Sequence, residues 1–349
     1  MTPISDASRV AYTEKIKKDH NDFNSSIPVV DMSLPQHKML EQMQTGLEKG
    51  FFAVINSNAN SDLIEAGYAA FERFFASSDH NKMKLNRPET MNQRGFVFTE
   101  KALGSDKGDC KEFFHIGPSN NDFSSAKELE IPIMHLYKEL IQVGQPIMEA
   151  MALSVGLSGD IFTYMTRNGE NLMRAINYFP DPENGIWAAA HTDIDLLTVL
   201  PCASGKGLQL LIDGQWVDVT VPKNAFIVNV GDMGTAFTNG KWRSCIHRVQ
   251  NTENGVGRQS IVMFFHPTND TIVEPLMGGR AHYPNGTRLE YLMLRLFSLG
   301  YLKGNAAKEV IEGRFINQIK EMVDDQVAAP DVITWYEGFK KTLDSFIVV

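Results

Sequence analysis

The chain has 349 residues, 43% of them hydrophobic, and a formal net charge of −9. That is enough apolar material for a substantial core in one large or two small domains, and an acidic balance with no basic block argues against a nucleic-acid partner. Met1–His20 is polar and mixed in charge, unlike a secretory signal, no apolar run nears the roughly 20 residues of a membrane span, and Cys110, Cys202 and Cys245 lack paired spacing, which fits a reducing, cytoplasmic setting better than a disulfide framework.

Taken in order, residues 1 to 25 read as a polar lead-in, Ile27–Asp31 as a short strand, His37–Lys49 as a helix stopped by Gly50, and Phe51–Asn56 as a strand. Ser61-Asp62 can cap a helix running to Phe75, with Leu63, Ala66, Ala70, Phe71 and Phe74 on one side. Gly95–Gly117 has aromatic and charged residues without a clear period and is expected to contribute to a pocket rim. Between Ile131 and Leu157, apolar residues recur at steps of three and four, which predicts a long scaffold helix whose His135 is no ligand. From Leu172 the period changes to two. Strands are expected at Met173–Phe179, Leu196–Leu200, Leu208–Ile212, Gln215–Val219, Ala225–Val230, Ile246–Gln250 and Arg258–Phe265, with turns at Asp213-Gly214, Gly231-Asp232 and Asn254-Gly255. Helices should follow at Thr287–Gly300, Asn305–Val323 and Trp335–Phe346. Short strands with turn signals, flanked by helices, predict a mainly β fold with a jelly-roll, or double-stranded β-helix, core.

The chemistry concentrates between His191 and Ser260. Residues two apart in an extended segment share a face, so His191 and Asp193 can aim an imidazole and a carboxylate at one point, and His247 can add a second imidazole from another strand. Two histidines and a carboxylate on one side of a metal leave open positions opposite, the facial arrangement of Fe(II) oxygenases. Ten residues separate His247 from Arg258-Gln259-Ser260. Arg258 and Ser260 share a face of their strand, and a guanidinium with a hydroxyl suits the distal carboxylate of a keto acid. By alternation Val262, Phe264 and His266 join that face, with Phe264 and His266 expected beside the substrate. Cys245 is expected to be a packing residue.

These motifs, Asn177-Tyr178-Phe179-Pro180, His191-Thr192-Asp193, Gly207-Leu208-Gln209, Val228-Asn229-Val230-Gly231-Asp232, Ser244-Cys245-Ile246-His247-Arg248-Val249 and Arg258-Gln259-Ser260, resemble the 2-oxoglutarate and Fe(II) dependent dioxygenases. The similarity is to the branch that includes isopenicillin N synthase and plant flavonoid and gibberellin oxygenases. Ile27-Pro28-Val29-Val30-Asp31 and Gly50-Phe51-Phe52 extend it to the N-terminal part, so that it covers most of the chain.

The resemblance implies the jelly-roll fold, with an N-terminal region of the family's type over 1–165, the catalytic core at 166–285 and a C-terminal helical extension at 286–349, all in one compact unit. It implies Fe(II) held by His191, Asp193 and His247, with 2-oxoglutarate as co-substrate held by Arg258 and Ser260 and approached by Asn177, and O2 as oxidant. Phe179 stands where many plant relatives carry Tyr, which removes one hydroxyl donor to the co-substrate. With Asp193 present, hydroxylation, desaturation or cyclisation of a small organic substrate is favoured over halogenation. The chain is expected to act as a monomer or weak homodimer. An Fe(II) oxidase that does without 2-oxoglutarate is the main alternative, since it can keep the same triad and the Arg-x-Ser pair. A zinc hydrolase would leave Arg258 and Ser260 without a task.

Overall fold

The computed structural model describes residues 27–98, 100, 110–180, 185–253, 255–302 and 304–347. The expected lead-in, much of the Gly95–Gly117 rim and the Asn254 half of one turn lie outside the described residues.

Strands β1 (Val29–Asp31) and β2 (Phe51–Ile55) are joined by helix α1 (Gln36–Lys49). That helix ends where Gly50 takes a left-handed φ of 77°, and a Cβ there would collide with the carbonyl of Arg243. Helices α2 (Ser61–Phe75) and α3 (Asp79–Met83) lead to strands β3 (Gly95–Val97) and β4 (Lys111–Ile116). The long α4 (Glu130–Ser154) and short α5 (Ile161–Arg167) precede β5 (Leu172–Tyr178), β6 (Ile186–His191), β7 (Leu197–Pro201), β8 (Leu208–Ile212), β9 (Gln215–Asp218) and β10 (Phe226–Val230). Then come α6 (Asp232–Phe237), β11 (His247–Gln250), β12 (Arg258–Phe265), and the two-stranded ribbon of β13 (Ile272–Val273) and β14 (Gly286–Thr287). Helices α7 (Arg288–Ser298), α8 (Gly304–Ile311), α9 (Arg314–Asp324) and α10 (Pro330–Ile347) end the chain.

The strands form two facing sheets. The larger has eight strands in the order β1-β2-β10-β7-β12-β5-β4-β3, and the smaller has four in the order β6-β11-β8-β9. This is the expected jelly-roll core, with N-terminal strands extending the larger sheet on both sides. Between the sheets lie Phe51, Phe113, Ile176, Tyr178 and Val262 of the larger and Trp187, Leu208, Leu210 and Val249 of the smaller. The other face of the larger sheet packs Ala175, Ile261, Met263 and Phe265 against Leu136, Leu140 and Ile147 of α4 and Phe71 and Phe74 of α2. A separate apolar cluster ties α7, α9 and α10 together and takes in Ile194.

The Asp213-Gly214 turn forms as expected, with positive φ at both residues (49° and 78°), the type a two-residue hairpin needs. Several elements differ from expectation, among them the helix Asp232–Phe237, which begins where a Gly231-Asp232 turn was expected, and the following three. Lys111–Ile116 is a strand buried at every position, because one face meets the helices and the other the inter-sheet space; such a strand shows no alternation. Ile186–His191 is likewise a strand beyond those expected. The helix expected over Asn305–Val323 is two, broken before Gly313, which becomes the N-cap of α9.

Candidate active site

His191 is the last residue of β6, Asp193 lies just beyond it, and His247 opens β11 directly opposite His191 in antiparallel register. Ligand atoms of the three residues lie within 4.8 Å of one another. Each imidazole is fixed from behind. His191 Nδ1 is 2.7 Å from the Ala189 carbonyl oxygen and His247 Nδ1 is 3.1 Å from that of Cys245. A carbonyl only accepts, so Nδ1 carries the proton on both rings and Nε2 keeps its lone pair. The two Nε2 atoms face Asp193 Oδ1 at 4.0 and 3.8 Å.

The other carboxylate oxygen, Asp193 Oδ2, accepts hydrogen bonds from Thr198 Oγ1 at 2.7 Å and Asn229 Nδ2 at 3.3 Å. Oδ1 is thereby left for a cation. Burial opposes a charge on Asp193, but the imidazoles of His247 and His191 and these two donors hold it below the usual carboxylate range. Thr198 has a second neighbour in Asp195 Oδ2 at 3.0 Å. Burial above all, and then the Asp193 charge, push the Asp195 carboxyl well above its ordinary range. A protonated Asp195 can donate to Thr198, which frees the single threonine proton for Asp193. The loop between the candidate ligands is also held from outside: the Thr192 carbonyl accepts from Arg295 Nη2 on α7, and Thr192 Oγ1 donates to Asp232 Oδ2 at 3.2 Å.

Arg258 and Ser260 are 4% and 3% exposed on the β12 face that looks into the inter-sheet space. The Arg258 guanidinium lies 5.3 Å from the Tyr178 ring centroid, and its Nε donates to the Gly205 carbonyl at 3.1 Å. Its Nη1 is buried without a partner among the described residues. An unpaired buried guanidinium donor is costly, and a carboxylate would satisfy it. These residues therefore fit a distal carboxylate as the triad fits a divalent metal.

The structure does not bring Asn177 to this pocket. Across β5 and β12, Tyr178 pairs with Arg258 and Asn177 with Gln259, so strand alternation turns Asn177 to the helix-covered face. There its amide donates to Glu112 Oε1 at 2.9 Å, and Glu112 is itself bridged to buried Lys82 at 2.7 Å. Phe179 has its ring 6.5 Å from that of Phe98. Phe264 is on the pocket face, half-buried, in a row that runs Leu172, Phe264, Thr198, Asn229 across the sheet. It is thus one strand away from the residue that holds Asp193. His266 follows β12 and is buried; burial first, and then the charge of Arg288, depress its pKa well below the usual imidazole value. Its Nδ1 and the Arg288 Nε have no partner among the described residues. Cys245 contributes only its carbonyl to His247, and His135 lies exposed on α4.

Thr198, Asp195 and Arg295 lie in no motif quoted above, and Asn229 lies in one, Val228-Asn229-Val230-Gly231-Asp232, that gave it no role. A polar residue inside an apolar strand, as in Phe-Ile-Val-Asn-Val, is the available signal for Asn229; nothing local marks Arg295, which acts across 103 positions of chain.

Comparison with known proteins agrees with this geometry. The model of the 2OG-Fe(II) oxygenase superfamily matches residues 170–267, and that described as non-haem dioxygenase in morphine synthesis N-terminal matches residues 27–134. Protein DOWNY MILDEW RESISTANCE 6 of Arabidopsis thaliana is 31% identical over 78% of this chain and 81% of its own length. Gibberellin 20 oxidase 2 of the same plant is 29% identical over 72% of this chain and 71% of its own length. A full-length Neurospora crassa protein solved in complex with alpha-KG superposes with a TM-score of 0.69 at 23% identity, covering 77% of this chain and 95% of that one, which shows a shared fold. The chain belongs to the 2OG-Fe(II) oxygenase superfamily, in its isopenicillin N synthase-like branch. It is an oxidoreductase of a family that uses Fe(II), 2-oxoglutarate and O2. The 2-oxoglutarate-independent oxidase reading is not favoured.

Proposed function

We propose that His191, Asp193 and His247 hold Fe(II), that Arg258 and Ser260 hold the distal carboxylate of 2-oxoglutarate, and that the enzyme oxidises a C–H bond of a small organic substrate by hydroxylation, desaturation or cyclisation. The observation that carries this reading is the turning of two Nε2 lone pairs onto one free carboxylate oxygen. Once bound, Fe(II) and 2-oxoglutarate supply the oxidising chemistry, consuming O2 and releasing succinate and CO2.

The residues of this chain do the positioning. Ala189 and Cys245 fix the imidazole tautomers, Thr198 and Asn229 orient the carboxylate, and Arg258 sets the direction from which the co-substrate reaches the metal. Phe264 supplies an apolar wall at the substrate and His266 a polar contact near it. Neighbours solved with small molecules, among them the Neurospora crassa protein in complex with thymine, support a small-molecule partner. Among the described residues no helix is long and apolar enough to cross a membrane. The cysteines, only three in the sequence and without paired spacing, support a reducing, cytoplasmic setting, in which the enzyme acts as a monomer or weak homodimer.

The test is Fe(II)-dependent release of labelled CO2 from 2-oxoglutarate, measured beside succinate, in wild type and Asp193→Ala. We expect turnover in the first and none in the second. Carbon dioxide release that survives Asp193→Ala, or an absence of release with iron bound, overturns the reading.

A further inference from the structure

Strand β12 carries Arg258 and Ser260, and its two neighbours hold it unequally. β5 pairs with it from Arg258 to Phe264, whereas β7 pairs with it only from Met263 to Phe265. Continuing the β7 register by two residues from the Met263–Val199 pair puts Pro201 opposite Ile261. Proline has no N–H to give across a ladder, and the pairing stops short of it. The stretch of β12 that bears Arg258 and Ser260 is thus left without a strand on one side.

Two side-chain hydroxyls take the place of that strand. The Ile261 N–H donates to Tyr68 Oη at 3.2 Å, and the Gln259 N–H donates to Ser204 Oγ at 2.7 Å. Ser204 closes a second bond, from its own N–H to the Gln259 carbonyl at 2.9 Å. The next carbonyl, that of Gly205, accepts from Arg258 Nε at 3.1 Å. Ser260 therefore lies between two residues whose N–H groups end on side chains. Ile261 is 1% exposed, so its N–H depends on Tyr68 rather than on solvent.

Neither hydroxyl is on the co-substrate face. Both belong to the wall of a cavity of about 550 Å³ on the helix-covered side of the sheet, which Gln259 also lines. Their influence passes through the backbone of β12. Tyr68 is placed firmly enough for that. A Cβ on its neighbour Gly67 would stand 2.4 Å from Cδ2 of Leu136, so α2 lies directly on α4. Helix α4 in turn meets Phe265, at the end of β12, through Gly144. Hydroxyl, helices and strand form one closed frame.

We propose that Tyr68, together with Ser204, is a positioning residue for the co-substrate. Its hydroxyl stands in for the missing strand at Ile261 and so holds Arg258 and Ser260 where one carboxylate engages both. Without the hydroxyl a buried N–H is left unsatisfied, and β12 relaxes from that position. This rests on the assignment of Arg258 and Ser260 to the distal carboxylate of 2-oxoglutarate.

The test measures the binding of two keto acids to the full chain loaded with Mn(II), by titration calorimetry. 2-Oxoglutarate has a distal carboxylate; 2-oxobutyrate has the same chelating end without it. In Tyr68→Phe, which keeps the ring, we expect 2-oxoglutarate to bind about 3- to 30-fold more weakly, the range of couplings carried through a packed scaffold. Affinity for 2-oxobutyrate and for Mn(II) should stay as in wild type. Ser204→Ala should show the same selectivity, and it carries the test alone if Tyr68→Phe does not fold. A merely structural role would weaken both keto acids alike. That result overturns the proposal, as does wild-type affinity for 2-oxoglutarate in the folded variants. The underlying assignment fails separately: wild type would then hold the two keto acids equally, or Arg258→Gln would hold 2-oxoglutarate as tightly as wild type.

Discussion

Each candidate ligand already has its non-metal bonds satisfied, so replacing one should remove metal affinity and little else. His191→Ala, Asp193→Ala and His247→Ala are each expected to abolish turnover and weaken Mn(II) binding, with a circular dichroism spectrum like that of wild type. Normal activity in any of them removes that residue from the centre. Arg258→Gln should weaken 2-oxoglutarate binding by about 2–5 kcal/mol, the usual cost of leaving a buried charge without its partner. Titration calorimetry reads this directly, and unchanged affinity would assign the co-substrate to another cation. Phe264→Ala should leave 2-oxoglutarate consumption largely intact but depress product, because the target C–H bond is then poorly placed. Succinate and product measured together decide it, and one-to-one coupling in the variant would put Phe264 outside the pocket. The triad and the Arg-x-Ser pair are legible in the sequence because their geometry is local or follows strand alternation. The expectation for Asn177 rests on motif alone; the register of β5 on β12 decides its face, and that register depends on a strand some 80 positions further along the chain.

At the level of elements, the long helix can be read from its period, but its closeness to the sheet cannot. Gly144 of α4 has no side chain because a Cβ there would stand 2.1 Å from Cζ of Phe265, the last residue of β12. That contact sets the distance between the scaffold helix and the strand that bears Arg258. Gly144→Val should force the two apart and cost about 1–3 kcal/mol, as core overpacking does. In a chain of this size this is a loss of several degrees in the melting midpoint. Scanning calorimetry with and without 2-oxoglutarate separates the effects: the midpoint should fall in both, with the ligand-induced rise preserved. A midpoint equal to that of wild type would mean that Phe265 has room to turn aside. β4 is illegible for the opposite reason. Its residues are buried on both faces, so composition carries no directional signal, and the pocket-bearing Lys111, Phe113 and His115 are hidden in a segment without a visible period.

Across the whole molecule, the described strands before residue 166 are part of the same sheet as the strands that carry the candidate site. β2 hydrogen-bonds to β10, and β4 hydrogen-bonds to β5. Without residues before 166, both β10 and β5 would become edge strands, and each would offer a row of unpaired N–H and C=O groups along an apolar ribbon. Their outward residues would be Phe226, Val228 and Val230 on one side and Met173 and Ala175 on the other, all buried in the native chain. Such edges recruit further strands. The fragment 166–285, which carries every candidate ligand, should therefore self-associate when produced alone, whereas the full chain stays dispersed. Adding residues 27–134 as a separate chain should suppress that association by restoring the two outer pairs. Light scattering of the fragment with and without the added chain measures this. A dispersed fragment that binds Mn(II) as the whole protein does would show that the core manages its own borders. The N-terminal strands thus act as a built-in guard against polymerisation, a service to solubility that no residue of the active site could perform.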